Sequence, residues 1–187
     1  MADTRLNRDD WIHAAVDILQ HEGPRGVAVQ PLARRLKATK GSFYWHFSSR
    51  DDLLRAALER WEVVATDDVI ASVEARAESP AERATLLITD VTVRSRQHPG
   101  ELLLLAGTDH PAVAAAVERV TQRRIDYVAR LLRGSGLTPA VAARRAIVGY
   151  AAYLGEAQLS RSVPAVLPDN ARGRRVLAAE MAKILLP

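Results

Sequence analysis

The sequence predicts an all-α protein. Apolar side chains recur at spacings of three and four residues along the whole chain, helix-opening residues stand before most of these stretches, and neither an alternating strand pattern nor an Asn-Gly hairpin occurs. About nine helices fit. We expect a three-helix amino-terminal unit with a helix-turn-helix layout at 6–66 and a larger helical bundle at 67–187.

The first helix is expected after Asn7, with Asp9 and Asp10 in the first turn, where the helix dipole favours acids. Trp11, Ala14, Ala15, Ile18 and Leu19 share one face, and Gly23-Pro24 ends it. A short helix over about 29–36 follows, then another from Thr39 as N-cap to Phe47. Ser48 and Ser49, each with an aspartate three residues later, open a long helix whose stripe of Leu54, Ala57, Leu58, Trp61 and Ala65 runs to near Ala77. Ser79-Pro80-Ala81-Glu82 reads as a capping box with proline at the first helical position, which predicts a helix over 80–97. His98-Pro99-Gly100 breaks it. A short apolar helix over about 102–106 leads to a longer one, expected to be capped by Asp109 and to end at Arg133-Gly134. Thr138-Pro139 opens the next, reaching about Ser160, and the last runs from about Asn170 to Leu185.

Composition narrows the chemistry. With 187 residues the chain can bury a substantial core, and without cysteine it has no disulfide, thiolate metal site or cysteine nucleophile. That usage and the charged opening "MADTRLNRDD" predict a cytoplasmic protein. The longest apolar run, "AIVGYAAYLG" at 146–155, falls well short of the roughly 20 residues that span a bilayer, so no membrane partner is expected. The net charge of +4 is modest, but from Gly23 to Arg50 six basic residues occur with no acid, which suits a polyanion.

Within that basic stretch, "KGSFYWHFSSRDDLL" puts four of the nine aromatic residues inside five positions. Two short helices joined at Lys37-Ala38, the second entered from Thr39, form the layout of a helix-turn-helix, and the second would be the recognition helix. Helical geometry sorts the aromatics. Phe43 and Phe47 are four apart and face the core, against the first helix and Leu32 and Leu36. Thr39, Lys40 and Ser42 stand at the exposed amino-terminal end, where polar side chains and one long cation reach base edges in a major groove, with guanine suited to Lys40. Tyr44, His46, Gln30 and Arg50 sit where phosphates would be held.

Gly23, the Leu32-Ala33 pair, "GSFYWHF" and "SRDDL" together resemble the DNA-binding domain of the TetR family of bacterial transcriptional regulators, over residues 8–66. The resemblance implies that Gln30, Thr39, Lys40, Gly41, Ser42, Tyr44, His46 and Arg50 occupy the DNA-contacting positions, with Gly41 allowing close backbone approach. Two departures stand out. The family usually has Thr as N-cap of the second helix and Gly in the turn, and this chain has Ala28 and Lys37. Pro31, at the third helical position, has no N–H to cap, which offsets the first change. If the turn requires positive φ, Lys37 costs about 1 kcal/mol or more.

For the remainder the resemblance implies a ligand-binding and dimerisation domain. The chain would then be a homodimeric repressor that binds an inverted-repeat DNA operator and is relieved by a small-molecule effector, with no cofactor, no metal and no enzymatic activity. Ala143, Ile147, Ala151, Leu154 and Met181 are candidates for the dimer interface. Asp90, Arg94, Tyr127, Tyr150, Tyr153, Glu156 and Gln158 are polar groups on helices that would line a cavity. Two other classes compete. An architectural protein would use the basic face without sequence preference, but has no need of the large second domain. A small helical enzyme finds little footing, because the five histidines include no pair four residues apart and there is no glycine-rich phosphate loop.

Overall fold

The computed structural model describes residues 6–97 and 100–187, with the side chains of 93–97 excepted. Its helices are α1 (Arg8–Glu22), α2 (Val29–Arg35), α3 (Lys40–Tyr44), α4 (Arg50–Glu62), α5 (Asp68–Arg76), α6 (Pro80–Gln97), α7 (Gly100–Leu105), α8 (Pro111–Gly134), α9 (Pro139–Ser162) and α10 (Ala171–Leu185). No strand occurs among the described residues. A π-helical turn, Val63–Asp67, joins α4 to α5, so residues 50–76 form one rod about 40 Å long at 1.5 Å per residue. Counting the rod once accounts for the nine helices that the sequence suggests.

Side chains close the helix ends where the sequence places them. Asn7 and Asp10 bond each other's backbone N–H at the head of α1, and Ser79 and Glu82 do so at α6. Thr39 accepts from the Ser42 N–H at 3.1 Å. At α4 the cap is Ser49, whose Oγ accepts from the Asp52 N–H, while the Asp52 carboxylate accepts from both the N–H and the Oγ–H of Ser48. Two backbone donors thus gain acceptors before the rod begins.

One cap differs from expectation. His110, not Asp109, caps α8, its Nδ1 accepting from the Ala112 N–H at 3.3 Å. Pro111 is the first helical residue, and a residue before proline is pushed out of the helical region, which makes His110 the extended cap with φ −89° and ψ 123°. Asp109 instead pairs with Arg25 at 3.1 Å.

Trp11, Phe43 and Phe47 fill the amino-terminal core together with Leu19, Leu32, Leu53, Leu54 and Leu58. The Phe43 ring meets Trp11 edge-on at 5.4 Å and stacks on Phe47 at 5.5 Å. Leu104 of α7 and Val113, Ala116 and Val120 of α8 belong to the same core, so the apolar packing continues past residue 66 into the bundle. At the join α7 presses on α1: a Cβ added to Gly100 would lie 2.7 Å from the Gln20 Cα.

α8 lashes the rod. Arg119 pairs with the buried Glu62 carboxylate, Arg123 reaches Asp67 at 2.8 Å, and Arg124 donates to Thr66 Oγ1 at 3.0 Å and to the Ala65 carbonyl at 2.9 Å. All four partners lie in the π turn or directly before it.

Candidate nucleic-acid interface and ligand cavity

α2 ends in a Schellman arrangement. The Lys37 N–H donates to the Arg34 carbonyl at 3.2 Å, the Ala38 N–H reaches back to the Ala33 carbonyl at 2.8 Å, and Lys37 adopts φ 52°, the only non-glycine residue with positive φ among the described residues. The conditional cost assigned to Lys37 therefore applies. At the other end of α2, Ala28 is the N-cap and offers no side-chain bond, and Pro31 is the third helical residue, as expected.

This turn aims α3 outward. Phe43 and Phe47 are inaccessible on its inner face, while Thr39, Lys40, Gly41 and Tyr44 are exposed on the outer one, and Ser42 is half-buried. Gln30 is exposed at the start of α2. Trp45 is 81% exposed, the most solvent-facing large apolar side chain among the described residues. Sequence reasoning left it without a role, although its place one residue outside the Phe43/Phe47 face was the available signal. Lys37, Lys40 and Arg34 extend the outer face as cations.

Two of the expected contact residues are committed elsewhere. Arg50 donates from Nε to the Val27 carbonyl at 2.7 Å and from Nη2 to the Pro24 carbonyl at 2.6 Å, and it pairs with Asp51 through Nη1. It braces the α1–α2 connection. His46 donates from Nε2 to the Leu6 carbonyl at 3.2 Å, which ties α3 to the segment before α1. The Arg50 pair helps to hold the Asp51 carboxyl below its ordinary pKa, and the Ser48 N–H does the same for Asp52.

A cavity of about 320 Å³ opens in the bundle between the rod and α6, α7, α8, α9 and α10. Its walls are mostly apolar, including Trp61, Val64, Val69, Ile70, Leu87, Ile88, Val91, Val128, Leu131 and Leu185. Most of the polar exceptions meet at one place, around Glu101. Arg124 donates to Glu101 Oε2 at 2.5 Å, Tyr150 to Glu101 Oε1 at 2.6 Å and Tyr153 to Glu101 Oε2 at 2.7 Å. Thr121 and Tyr150 share a further bond at 3.1 Å. Burial and the Glu101 carboxylate both raise the pKa of the Tyr150 and Tyr153 phenols, so they remain donors. For Arg124 burial opposes the charge most strongly, but Glu101 together with Tyr153 and Tyr150 outweighs it, leaving the guanidinium harder to deprotonate than usual.

Of the expected cavity residues, Tyr127, Tyr150 and Tyr153 line the wall. Tyr127 gives its hydroxyl to Glu74 at 3.0 Å, and burial with that carboxylate raises its pKa to about 12. Asp90 instead pairs with Arg76 at 2.6 Å, and Gln158 is exposed and bonds Ser162. Glu156 is buried in α9 outside the cavity wall, and the Arg94 side chain lies outside the described residues, as does His98. Glu101, Arg124 and Thr66 were missed. Of the candidate dimer residues, Ala143, Ile147 and Ala151 are exposed on α9 and Leu154 is half-buried, but Met181 turns inward and lines the cavity. Val148, Leu159, Val163, Val166, Val176 and Ile184 add exposed apolar surface on α9, α10 and their connection. The described residues hold no cluster of metal-ligating side chains and no helix long and apolar enough to cross a membrane.

Residues 12–57 match the family model described as bacterial regulatory proteins, tetR family. The same region is 43% identical over 54 residues to an HTH-type transcriptional regulator of Saccharopolyspora erythraea, covering 29% of this chain and 23% of that protein. It is 38% identical over 56 residues to the tetracycline repressor protein class A from transposon 1721 of Escherichia coli, covering 30% and 26%. The chain thus matches about a quarter of the length of these curated relatives. Across 97% of this chain and 98% of the other, the fold resembles that of a TetR transcriptional regulator from Legionella pneumophila, with a TM-score of 0.79 at 12% identity.

Proposed function

We propose that the chain is a member of the tetR family of bacterial regulatory proteins, and with it a cytoplasmic, homodimeric, sequence-specific DNA-binding regulator, a repressor relieved by a small molecule rather than an enzyme; the match over residues 12–57 and the likeness of fold support this reading. The observation that carries this reading is the division of α3: Phe43 and Phe47 lock one face into the core, and Thr39, Lys40, Gly41 and Tyr44 stand free on the other. Rigid anchoring is what base readout needs, since a side chain can discriminate base edges only if its helix does not slide in the groove. Lys40 is assigned to guanine O6 or N7, Thr39 and Ser42 to neighbouring edges, and Trp45 to an apolar contact such as a thymine methyl. Gly41 allows close approach, while Gln30, Tyr44 and Lys37 hold phosphates. Arg50 and His46 act from behind, as braces.

The dimer is assigned to α9 and α10. Ala143, Ile147 and Ala151 repeat every four residues on an exposed face, and Ile184 is 67% exposed, an apolar surface suited to a copy of itself. A two-fold dimer places two recognition helices about one turn of DNA apart, so the operator is an inverted repeat. Relief works through the rod: α8 carries Arg124 in the cavity wall and fastens the π turn, and a ligand that shifts α8 shifts the rod that carries α3.

Selection of bound genomic fragments at about 150 mM salt, a physiological screening strength, tests the reading. We expect an inverted repeat bound with a sequence preference that survives competitor DNA. Binding that tracks only fragment length would replace this reading with that of an architectural protein.

A further inference from the structure

The chemistry of the cavity limits what can enter it. Among the described residues that line it, Glu101 and Arg124 carry the only charges, and they cancel in one ion pair. Glu101 already accepts from three donors: Arg124, Tyr150 and Tyr153. Arg124 has given three N–H groups, to Glu101, Thr66 and Ala65, out of the five that a guanidinium carries. The pair is electrically complete but donor-rich. Apart from Gln20 and Tyr127, whose hydroxyl is given to Glu74, the remaining surface is apolar, with Trp61, Val69, Leu87, Ile88 and Leu131 among its contributors.

We propose that this cavity selects neutral, largely apolar molecules that carry one carbonyl-type acceptor, such as a ketone, ester, lactone or amide, and seats that oxygen on the spare N–H groups of Arg124. An anionic ligand would leave an uncompensated negative charge in a water-poor space, and an ammonium would have to take the Glu101 carboxylate from donors it already satisfies. A hydrocarbon fits the walls but leaves the Arg124 donors unmet. A carbonyl oxygen alone fills the deficit without adding charge. The inference rests on reading the cavity as the effector site. It adds the class of effector and the residue that chooses it.

Four eight-carbon probes separate the possibilities: 2-octanone, octanoate, octylammonium and octane. Their affinities for the intact protein are measured by calorimetry at pH 7, and each is then titrated into the complex with the selected operator. We expect 2-octanone to bind about ten-fold or more tightly than each of the others, the margin of one hydrogen bond to a charged donor. Its carbonyl stretch should fall in frequency on binding, relative to its value in hydrocarbon solvent. In the double variant Arg124→Met, Glu101→Gln, which removes both charges together and leaves an amide for the tyrosines, 2-octanone should drop to the level of octane while octane is unchanged. Tighter binding of octanoate or octylammonium, equal binding of all four, no saturable binding by any, or an unshifted carbonyl stretch would overturn the proposal, and the wild-type comparison decides even if the double variant does not fold. Operator release is read apart. A ketone that binds with preference yet leaves the operator bound upholds the ligand class and defeats the inducer reading, whereas release by a different probe does the reverse.

Discussion

Lys37 gives an opposed pair of expectations for one substitution. Its φ of 52° places an L side chain in the left-handed region, which costs about 1–2 kcal/mol. Glycine has no such cost but loses more freedom on folding, about 0.4–1 kcal/mol. Lys37→Gly should therefore stabilise the protein by about 0.5–1 kcal/mol, or raise the melting temperature by about 1–4 °C for a chain of this size. Lys37→Ala separates geometry from charge, since alanine keeps the strained φ and loses the ammonium, and it should sit within about 0.5 kcal/mol of the parent. Both variants should weaken operator binding alike. If each protomer loses one phosphate contact, the slope of log affinity against log salt should flatten by about 0.9 per contact, hence about 1.8 for a symmetric dimer. Thermal and urea unfolding give the first quantity, and fluorescence anisotropy between about 50 and 200 mM salt gives the second. A Gly variant no more stable than the Ala variant would refute the strain argument. An unchanged salt slope in both would refute the phosphate contact that would explain keeping lysine in a glycine position.

Three further expectations follow from the same structure. Lys40→Ala should lose about 1–3 kcal/mol on the operator and relax preference at one base pair, whereas Arg50→Ala, which strips two carbonyl bonds from the α1–α2 connection, should lower the melting temperature and leave the base preference intact; competition binding and unfolding together check both. Ile147→Glu drives a charge into the exposed apolar face of α9, so sedimentation should show the 20.5 kDa monomer, and a stable dimer would move the interface elsewhere. The Asp52 carboxyl has its pKa lowered below 3.8, chiefly by the Ser48 N–H, so its stabilisation is present above the unfolded value and is lost as pH falls through the lowered folded one. Asp52→Asn should thus be less stable than the parent at pH 6 and approach it towards pH 3, and parallel unfolding curves at every pH would disprove the cap's titration.

The amino-terminal half was legible because its signals are local. Asn7, Thr39, Ser49 and Ser79 each announce a helix within three residues of the group they cap, and the four-residue spacing of Phe43 and Phe47 separates the core face from the outer one. The cavity was harder to read. Glu101 and Arg124 are 23 residues apart in sequence and meet only when α7 packs on α8, and an acid before four leucines or one of two adjacent arginines looks like solvated surface. A trace of the answer was present: Arg124 stands four residues after Val120 and three before Tyr127, inside the buried stripe of α8. A charge in an apolar stripe needs a buried partner. Cap identity at α8 failed for a smaller reason, the conformational reach of Pro111 over the residue before it.

The π turn also settles a matter of phase. An uninterrupted α-helix carrying Leu54, Ala57, Leu58 and Trp61 inward would next present positions 65, 68 and 72 on that side, yet the buried residues are Thr66, Val69 and Val73. Each lies one place later, the displacement produced by a single extra residue in the coil. The two halves of the rod therefore obey two frames of a three-and-four repeat, one written for the aromatic core and one for the cavity, and the five-residue turn is the splice between them. Winding that turn as ordinary α-helix with every residue kept would leave every side chain chemically intact while rotating the second half by about 100°, swinging Val69 and Val73 out of the bundle and Asp68 towards it. Reading frame, more than composition, is what lets one continuous rod serve both cores.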